Sequence, residues 1–106
     1  IINILSTNLL GVNAETGKIL FHTDYASISN EEAVKVWPGA PFTNTNNPIY
    51  KDYHIYITSG YNHVGVMLEM KEDLSEVKVK WISENLDTHH GGVIEHNGYI
   101  YGSNFS

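Results

Sequence analysis

The sequence predicts an all-β domain, and three observations support this class. Short runs rich in Ile, Val and Tyr alternate apolar and polar side chains, as half-buried strands do. Turn residues such as Gly, Asn and Asp separate these runs at short intervals. A hairpin motif occurs twice along the chain. With 106 residues, the chain is long enough for one modest hydrophobic core.

Nine segments carry the strand signal, and tight turns connect several of them. They are Ile2–Ser6, Leu9–Asn13, Lys18–Thr23, Pro48–Lys51, His54–Ser59, Val64–Met70, Val77–Ser83, Val93–His96 and Tyr99–Ser103. Asn97-Gly98 is the strongest two-residue hairpin signal, because both positions of the favoured turn need positive φ.

Two segments allow finer predictions. In the seventh strand, simple alternation places Val77, Val79 and Trp81 on one face and the two intervening lysines on the other. The only candidate helix is Ser29–Trp37, where Ser and Asn precede two glutamates before the chain meets Pro38.

Composition excludes several classes of function. The formal net charge is −6, with only six Lys and Arg residues, so no basic surface for nucleic acid or an anionic membrane is expected. The absence of cysteine excludes disulfides, thiolate metal sites and a cysteine nucleophile. No apolar run approaches the roughly 20 residues of a membrane span, so no membrane span is predicted.

An internal repeat organises the chain. Pro48–Ser59 aligns with Val93–Asn104 at an offset of 45 residues, and two more strands lie between the copies. Four antiparallel strands in about 45 residues match the size of one blade of a β-propeller. An incomplete earlier copy places Phe21 at the position of Trp81, 60 residues later.

These copies predict a β-propeller fragment built from four-stranded antiparallel blades. Residues 1–25 form the end of one blade, 26–47 an insertion, 48–83 a full blade and 84–106 the start of the next. A propeller needs four to eight blades. We therefore expect other blades of a parent propeller as partners, either elsewhere in a longer chain or from an assembling molecule.

The segment "NAETGKILFH" resembles the A-x-x-x-T-G-x-x-x-W signature of PQQ-like quinoprotein β-propeller repeats, with Phe21 in place of Trp. "NPIYKDYHIYITSGY" and "GGVIEHNGYIYGS" resemble the inner hairpin of that family, although Tyr53 stands where a turn glycine is usual. The resemblance covers most of Leu9–Ser103 outside the insertion. It implies an exported protein, periplasmic or extracellular, but the same repeat builds both enzymes and scaffolds.

The strand order gathers two loops at one face of the propeller. They are the loop after the second strand of the full blade, residues 60–63, and the loop before the next blade, residues 84–92. The candidate ligand- or cofactor-binding residues on this face are Tyr61, Asn62, His63, Asp87, His89 and His90. In the dehydrogenases that this chain resembles, the same face carries the cofactor.

Each candidate also has a structural interpretation. Loop histidines more often hydrogen-bond to nearby backbone than bind a ligand, and Trp81 and the tyrosines more often pack between blades. If the strand began early, His89 and His90 would point in opposite directions, which disfavours a paired metal site. A zinc site built from His63, His89 and His90 is an open alternative.

The functional prediction is a non-catalytic binding or scaffold module with no cofactor, which holds a small molecule or protein on the loop face. The alternative is an alcohol or sugar dehydrogenase that uses pyrroloquinoline quinone with calcium. Asp87 has the residue type of a general base in such enzymes, but no family motif surrounds it. The sequence assigns no catalytic residue.

Overall fold

A computed structural model describes residues 1–5, 7–25 and 44–104. Its nine strands are β1 Ile2–Ile4, β2 Asn8–Val12, β3 Ile19–Asp24, β4 Ile49–Lys51, β5 His54–Thr58, β6 Gly65–Met70, β7 Val77–Ser83, β8 Val93–His96 and β9 Tyr99–Gly102. Every predicted strand is confirmed, with small shifts at the ends. The predicted helix Ser29–Trp37 lies outside the described residues.

The strands form three antiparallel sheets, each made of neighbours in sequence. Sheet 1 has the order β1-β2-β3, sheet 2 has β4-β5-β6-β7, and sheet 3 has β8-β9. The all-β class is therefore confirmed. In the described ranges, no helix is long and apolar enough to cross a membrane.

The two hairpins of the internal repeat share one pairing register. Ile49 pairs with Tyr56 in sheet 2, and their counterparts Ile94 and Tyr101 pair in sheet 3. Both connecting turns have two consecutive residues with positive φ, 47° and 62° at Asp52-Tyr53 and 52° and 83° at Asn97-Gly98. This is the backbone geometry of a type I′ turn, which matches the twist of the two strands.

Sheets 1 and 2 also share a β-bulge at matching positions. Gly11 pairs with Phe21 and Val12 with Ile19, which leaves Leu20 as the extra residue. In sheet 2, Met67 pairs with Trp81 and Leu68 with Val79, which leaves Lys80 as the extra residue. The sequence alignment of Phe21 with Trp81 therefore corresponds to the same position in both sheets.

The second bulge corrects the predicted facing of Trp81. Residues directly opposite on neighbouring strands share a face of the sheet. Val79 lies opposite Leu68 on one face, whereas Trp81 lies opposite Met67 on the other. The Trp81 ring accordingly lies 5.9 Å from that of Tyr56, measured between centroids. Simple alternation fails here because Lys80 adds one residue to the strand.

We call the face that carries Phe21 in sheet 1, Trp81 in sheet 2 and Tyr101 in sheet 3 the front face, and the opposite one the back face. The main core lies between the front face of sheet 1 and the back face of sheet 2. Its buried apolar side chains are Ile4, Leu9, Phe21, Tyr25, Ile55, Ile57, Val64, Val66, Leu68 and Met70.

Sheet 3 lies on the front face of sheet 2 in the same manner. A cleft of about 310 Å³ separates them, with Tyr56 and Met67 on one wall and Ile100 on the other. Lys51 Nζ of sheet 2 and Glu95 Oε1 of sheet 3 form an ion pair of 2.6 Å across this cleft. The three sheets thus stack front to back in chain order.

Candidate functional site

The two predicted loops meet at one end of sheet 2. The β5–β6 loop carries Tyr61, whose ring lies 4.3 Å from that of His89 in the β7–β8 loop. The ring of His89 lies 4.0 Å from that of His90, again measured between centroids. These three residues therefore lie together, as the strand order predicts. His89 and His90 lie in the loop before β8, which begins at Val93, so the alternation of a strand does not force their side chains to opposite faces.

Asp87 connects the β7–β8 loop to the end of β5. Its Oδ1 accepts a hydrogen bond of 2.9 Å from the backbone N–H of Gly60 and lies 3.4 Å from the hydroxyl of Thr58. Its Oδ2 is buried and has no hydrogen-bond partner among the described residues. Asp87 is only 4% exposed. Its hydrogen bond to Gly60 joins the β7–β8 loop to the β5–β6 loop, and we call this contact the Asp87 clamp.

His89 has a similar structural role. Its Nδ1 lies 2.8 Å from the carbonyl oxygen of Ser59. A carbonyl only accepts, so Nδ1 donates the hydrogen of this bond. The hydroxyl of Thr45 donates to the carbonyl of His89. His89 therefore hydrogen-bonds to nearby backbone, as the structural interpretation of the loop histidines predicts.

His63 is fully buried beneath the same loop. Burial lowers the pKa of its imidazole, and the nearby negative charge of Asp87 opposes this effect only in part. The ring is therefore neutral at pH 7. Asn62, by contrast, is exposed at the tip of the loop.

The β5–β6 loop has a strained backbone. Gly60, Tyr61, Asn62 and Val64 all have positive φ, with 74° at Val64. Such a value is rare for a β-branched residue and persists only where the surroundings impose it. Here the loop is held by the Asp87 clamp and by the Tyr25 hydroxyl, which donates to the Val64 carbonyl at 3.4 Å.

Sequence reasoning missed a second polar network beside these residues. Asn46 Nδ2 donates to the Thr88 carbonyl at 2.6 Å, and the Thr88 N–H donates to the Thr58 hydroxyl at 2.9 Å. The Thr88 hydroxyl donates to the Ser103 carbonyl at 2.5 Å. The available signal was the repeat itself, because Thr58 and Ser103 occupy matching positions after the second strand of each hairpin.

A polar pocket of about 340 Å³ opens between the segments that lead into β4 and β8. Its lining comes from two matching stretches of the repeat, residues 45–49 and 90–93. The side chains of Thr45, Asn46, Asn47 and His90 bring hydroxyl, amide and imidazole groups to this lining. Neither Lys nor Arg occurs in this lining.

Gly91 and Gly92 widen this pocket. Both have positive φ, 89° and 68°, and a Cβ at either position would meet no atom within 4 Å. Open space and an accessible backbone at a pocket wall allow a ligand to approach the peptide groups closely.

Of the six predicted residues, only His90 lines the pocket. His63, Asp87 and His89 are buried, Asn62 is exposed on the neighbouring loop, and Tyr61 lies against His89 outside the lining. Within the described ranges, no group of three His, Cys, Asp or Glu side chains is arranged to hold a metal ion. The described lining of the pocket contains no Asp, Glu, Lys or Arg side chain.

The contacts of His54, at the opposite end of sheet 2, were not predicted from the sequence. His54 Nδ1 donates to the Asp52 carbonyl at 2.8 Å, so its Nε2 accepts from Lys80 Nζ at 2.8 Å. This pair and the Lys51–Glu95 ion pair border the cleft between sheets 2 and 3. The side chains of Lys51, Lys80 and Glu95 thus have partners within the protein.

Comparison with known proteins finds no matching family model, no matching curated protein and no matching solved structure. Functional inference therefore depends on the residues of this chain.

Proposed function

We propose that this chain is a non-catalytic binding or scaffold segment of an exported PQQ-like β-propeller, located in the periplasm or outside the cell. One observation carries the proposal: consecutive antiparallel sheets repeat the same registers and the same bulge and stack front to back. Blades of a propeller pack in this order around a central channel.

Burial of the acid–base residues supports a non-catalytic role. A general base must reach a substrate proton directly or through one water. Asp87 is buried and already accepts the Gly60 N–H, while the Nδ1 hydrogen of His89 is held by Ser59. Both side chains serve the loop conformation.

The polar pocket supports a neutral, hydroxyl-rich ligand. Its amide, hydroxyl and imidazole groups complement a saccharide or polyol, which needs both donors and acceptors. Its volume of about 340 Å³ falls in the range of small-molecule sites. Three polar residues of the lining are exposed, Thr45, Asn47 and His90, and the Thr45 hydroxyl already donates to the His89 carbonyl. We therefore propose that His90 and Asn47 contact such a ligand.

The residues present do not fit the quinone of the alternative function. Pyrroloquinoline quinone is a polycarboxylate, and its tight binding calls for cationic side chains or a coordinated cation. The pocket lining contains neither Lys or Arg to pair with those carboxylates nor Asp or Glu to hold a cation. We derive no catalytic step through this cofactor.

Isothermal titration of the chain with glucose, maltose, and pyrroloquinoline quinone plus calcium tests the proposal. We expect saturable heat with a saccharide, loss of that heat in Asn47→Ala and His90→Ala, and no heat with the quinone. Asn62→Ala is the matched control, because Asn62 is exposed on the neighbouring loop outside the pocket lining.

Two results would contradict the proposal. Quinone binding followed by reduction of an electron-acceptor dye in the presence of an alcohol would establish the dehydrogenase. If the heat of saccharide binding is also lost in Asn62→Ala, the saccharide does not bind in this pocket.

A further inference from the structure

The two walls of the polar pocket occupy matching positions of the internal repeat but differ in bulk. At the offset of 45 residues, Gly91 and Gly92 match Asn46 and Asn47. One wall therefore carries two amide side chains at positions where the other wall carries none.

The first wall uses most of its side chains to hold the neighbouring loop. The Thr45 hydroxyl donates to the His89 carbonyl, and Asn46 Nδ2 donates to the Thr88 carbonyl at 2.6 Å. Because Asn46 is only 7% exposed, its amide serves the fold. Asn47 is left as the exposed amide of this wall.

The second wall presents open backbone. Gly91 and Gly92 have positive φ, and a Cβ at either position would meet no atom within 4 Å. Since no side chain shields their peptide groups, a ligand can pass close to the main chain here. The pocket can therefore hold a ligand that continues past this wall.

The pocket is also larger than one sugar ring. Its volume is about 340 Å³, whereas a hexose fills roughly 200 Å³ when it is packed as densely as in a crystal. Pro48, Ile49 and Val93 supply an apolar part of the lining, which suits the C–H face of a sugar ring. The exposed Asn47 and His90 lie on opposite walls, so one ring can contact both and leave space for part of another.

We propose that the pocket takes an oligosaccharide of at least two sugar units, with one unit between Asn47 and His90 and the next passing over Gly91 and Gly92. This inference rests on the proposed saccharide site and names the class of its ligand. A single sugar contacts Asn47 and His90 alone. The two glycines therefore set the preference for a longer chain, because side chains at their positions would occupy the space of the second unit.

Isothermal titration with glucose, maltotriose and cellotriose tests the inference, because the two trisaccharides present the same sugar unit in two linkages. We expect one of the trisaccharides to bind wild type about tenfold more tightly than glucose, since the second unit adds its own contacts.

The double variant Gly91→Asn/Gly92→Asn gives this wall the residues of the matching wall. Asn adopts positive φ more readily than most residues with a side chain, so the fold should be retained. We expect the variant to bind glucose as wild type does and to lose the tenfold preference for the trisaccharide. Circular dichroism confirms folding, and the two single variants replace the double variant if it unfolds.

Gly98→Asn is the matched control. Gly98 also has positive φ, but it lies in the β8–β9 turn outside the lining of the polar pocket. This variant should keep the wild-type affinities for glucose and for the trisaccharides.

Equal affinity of wild type for glucose and both trisaccharides would overturn the inference, and so would a trisaccharide preference that survives in the double variant. If glucose still binds and its heat is lost in Asn47→Ala and His90→Ala, the proposed function stands and only the chain length is wrong. If none of the three sugars binds, the proposed function and this inference both fail.

Discussion

At the residue scale, Asp87 holds two loops together through a single carboxylate oxygen. Asp87→Ala leaves the buried Gly60 N–H without its acceptor, and we expect the free energy of unfolding to fall by about 2 kcal/mol. Asp87→Asn retains an oxygen at Oδ1, so its loss should be less than half as large. Urea denaturation measures both, and equal losses would contradict the clamp.

His63 makes stability depend on pH. Burial lowers the pKa of its folded imidazole below the unfolded value, so the unfolded chain takes up the proton first as pH falls. Stability should therefore decrease as pH falls from about 7 to 5, through the ordinary histidine pKa near 6.5. Asp87 is the charged group that faces His63 and partly offsets this effect.

Urea midpoints at pH 7.5 and pH 5 test this linkage. His63→Gln should show a smaller difference between the two midpoints than wild type. His96→Gln, at an exposed histidine in β8, should keep the wild-type difference. A His63→Gln profile as steep as wild type would assign the pH dependence to other groups.

Sequence reasoning predicted the neighbourhood of the site better than the roles within it. Tyr61, His89 and His90 meet because strand order fixes which loops share an end of the sheet. The clamp of Asp87 and the Asn46 network were not predicted. Such contacts depend on tertiary distances between loops, for which one sequence carries no periodic signal.

At the scale of elements, all nine strands were predicted because each alternating run ends at residues with clear turn chemistry. The predicted face of Trp81 was wrong, because the bulge at Lys80 adds one residue and so reverses which residues of the strand share a face. The matching bulge at Leu20 offered a signal only after the two sheets were compared. A strand that shows perfect alternation in sequence can therefore change faces part-way along.

The two type I′ turns predict opposite effects of substitution. Tyr53 has a φ of 62°, a conformation that costs a residue with a side chain about 1 kcal/mol relative to glycine. Tyr53→Gly should therefore raise the free energy of unfolding by up to about 1 kcal/mol. Gly98→Ala, at the matching position with φ of 83°, should lower it by a similar amount.

Thermal denaturation of the two turn variants checks this pair. Both turns lie at the same position in their hairpins, so the two variants change the same backbone geometry in opposite directions. A Tyr53→Gly variant less stable than wild type would show that the contacts of the Tyr53 ring, which is 42% exposed, contribute more than the strain of its backbone costs.

Gly11 allows the aromatic ring at the bulge of sheet 1 to lie over the neighbouring strand. A Cβ at this position would overlap the Phe21 ring, so Gly11→Ala should cost about 1 to 3 kcal/mol. Phe21→Leu removes part of that ring, and the double variant should recover some of the loss. A double-mutant cycle with no coupling energy would contradict this contact.

At the scale of the whole molecule, stability should vary along the stack. The buried core joins sheets 1 and 2, whereas sheet 3 has two strands and an exposed front face. In hydrogen exchange, we expect the amides of Ile55 and Leu68 to be protected longest and those of β8 and β9 to exchange first.

The hairpin of β6 and β7 is longer than its counterpart of β2 and β3 by two residue pairs. The connecting turns, residues 71–76 and 13–18, have the same length, whereas the pairs Glu69–Lys78 and Met70–Val77 extend the ladder beyond Leu68 and Val79. The added residues therefore lengthen the two strands, and the pairings at the bulge are the same in both sheets. An epitope or a fluorophore placed near the exposed Asp73 would therefore label the end of sheet 2 opposite the polar pocket.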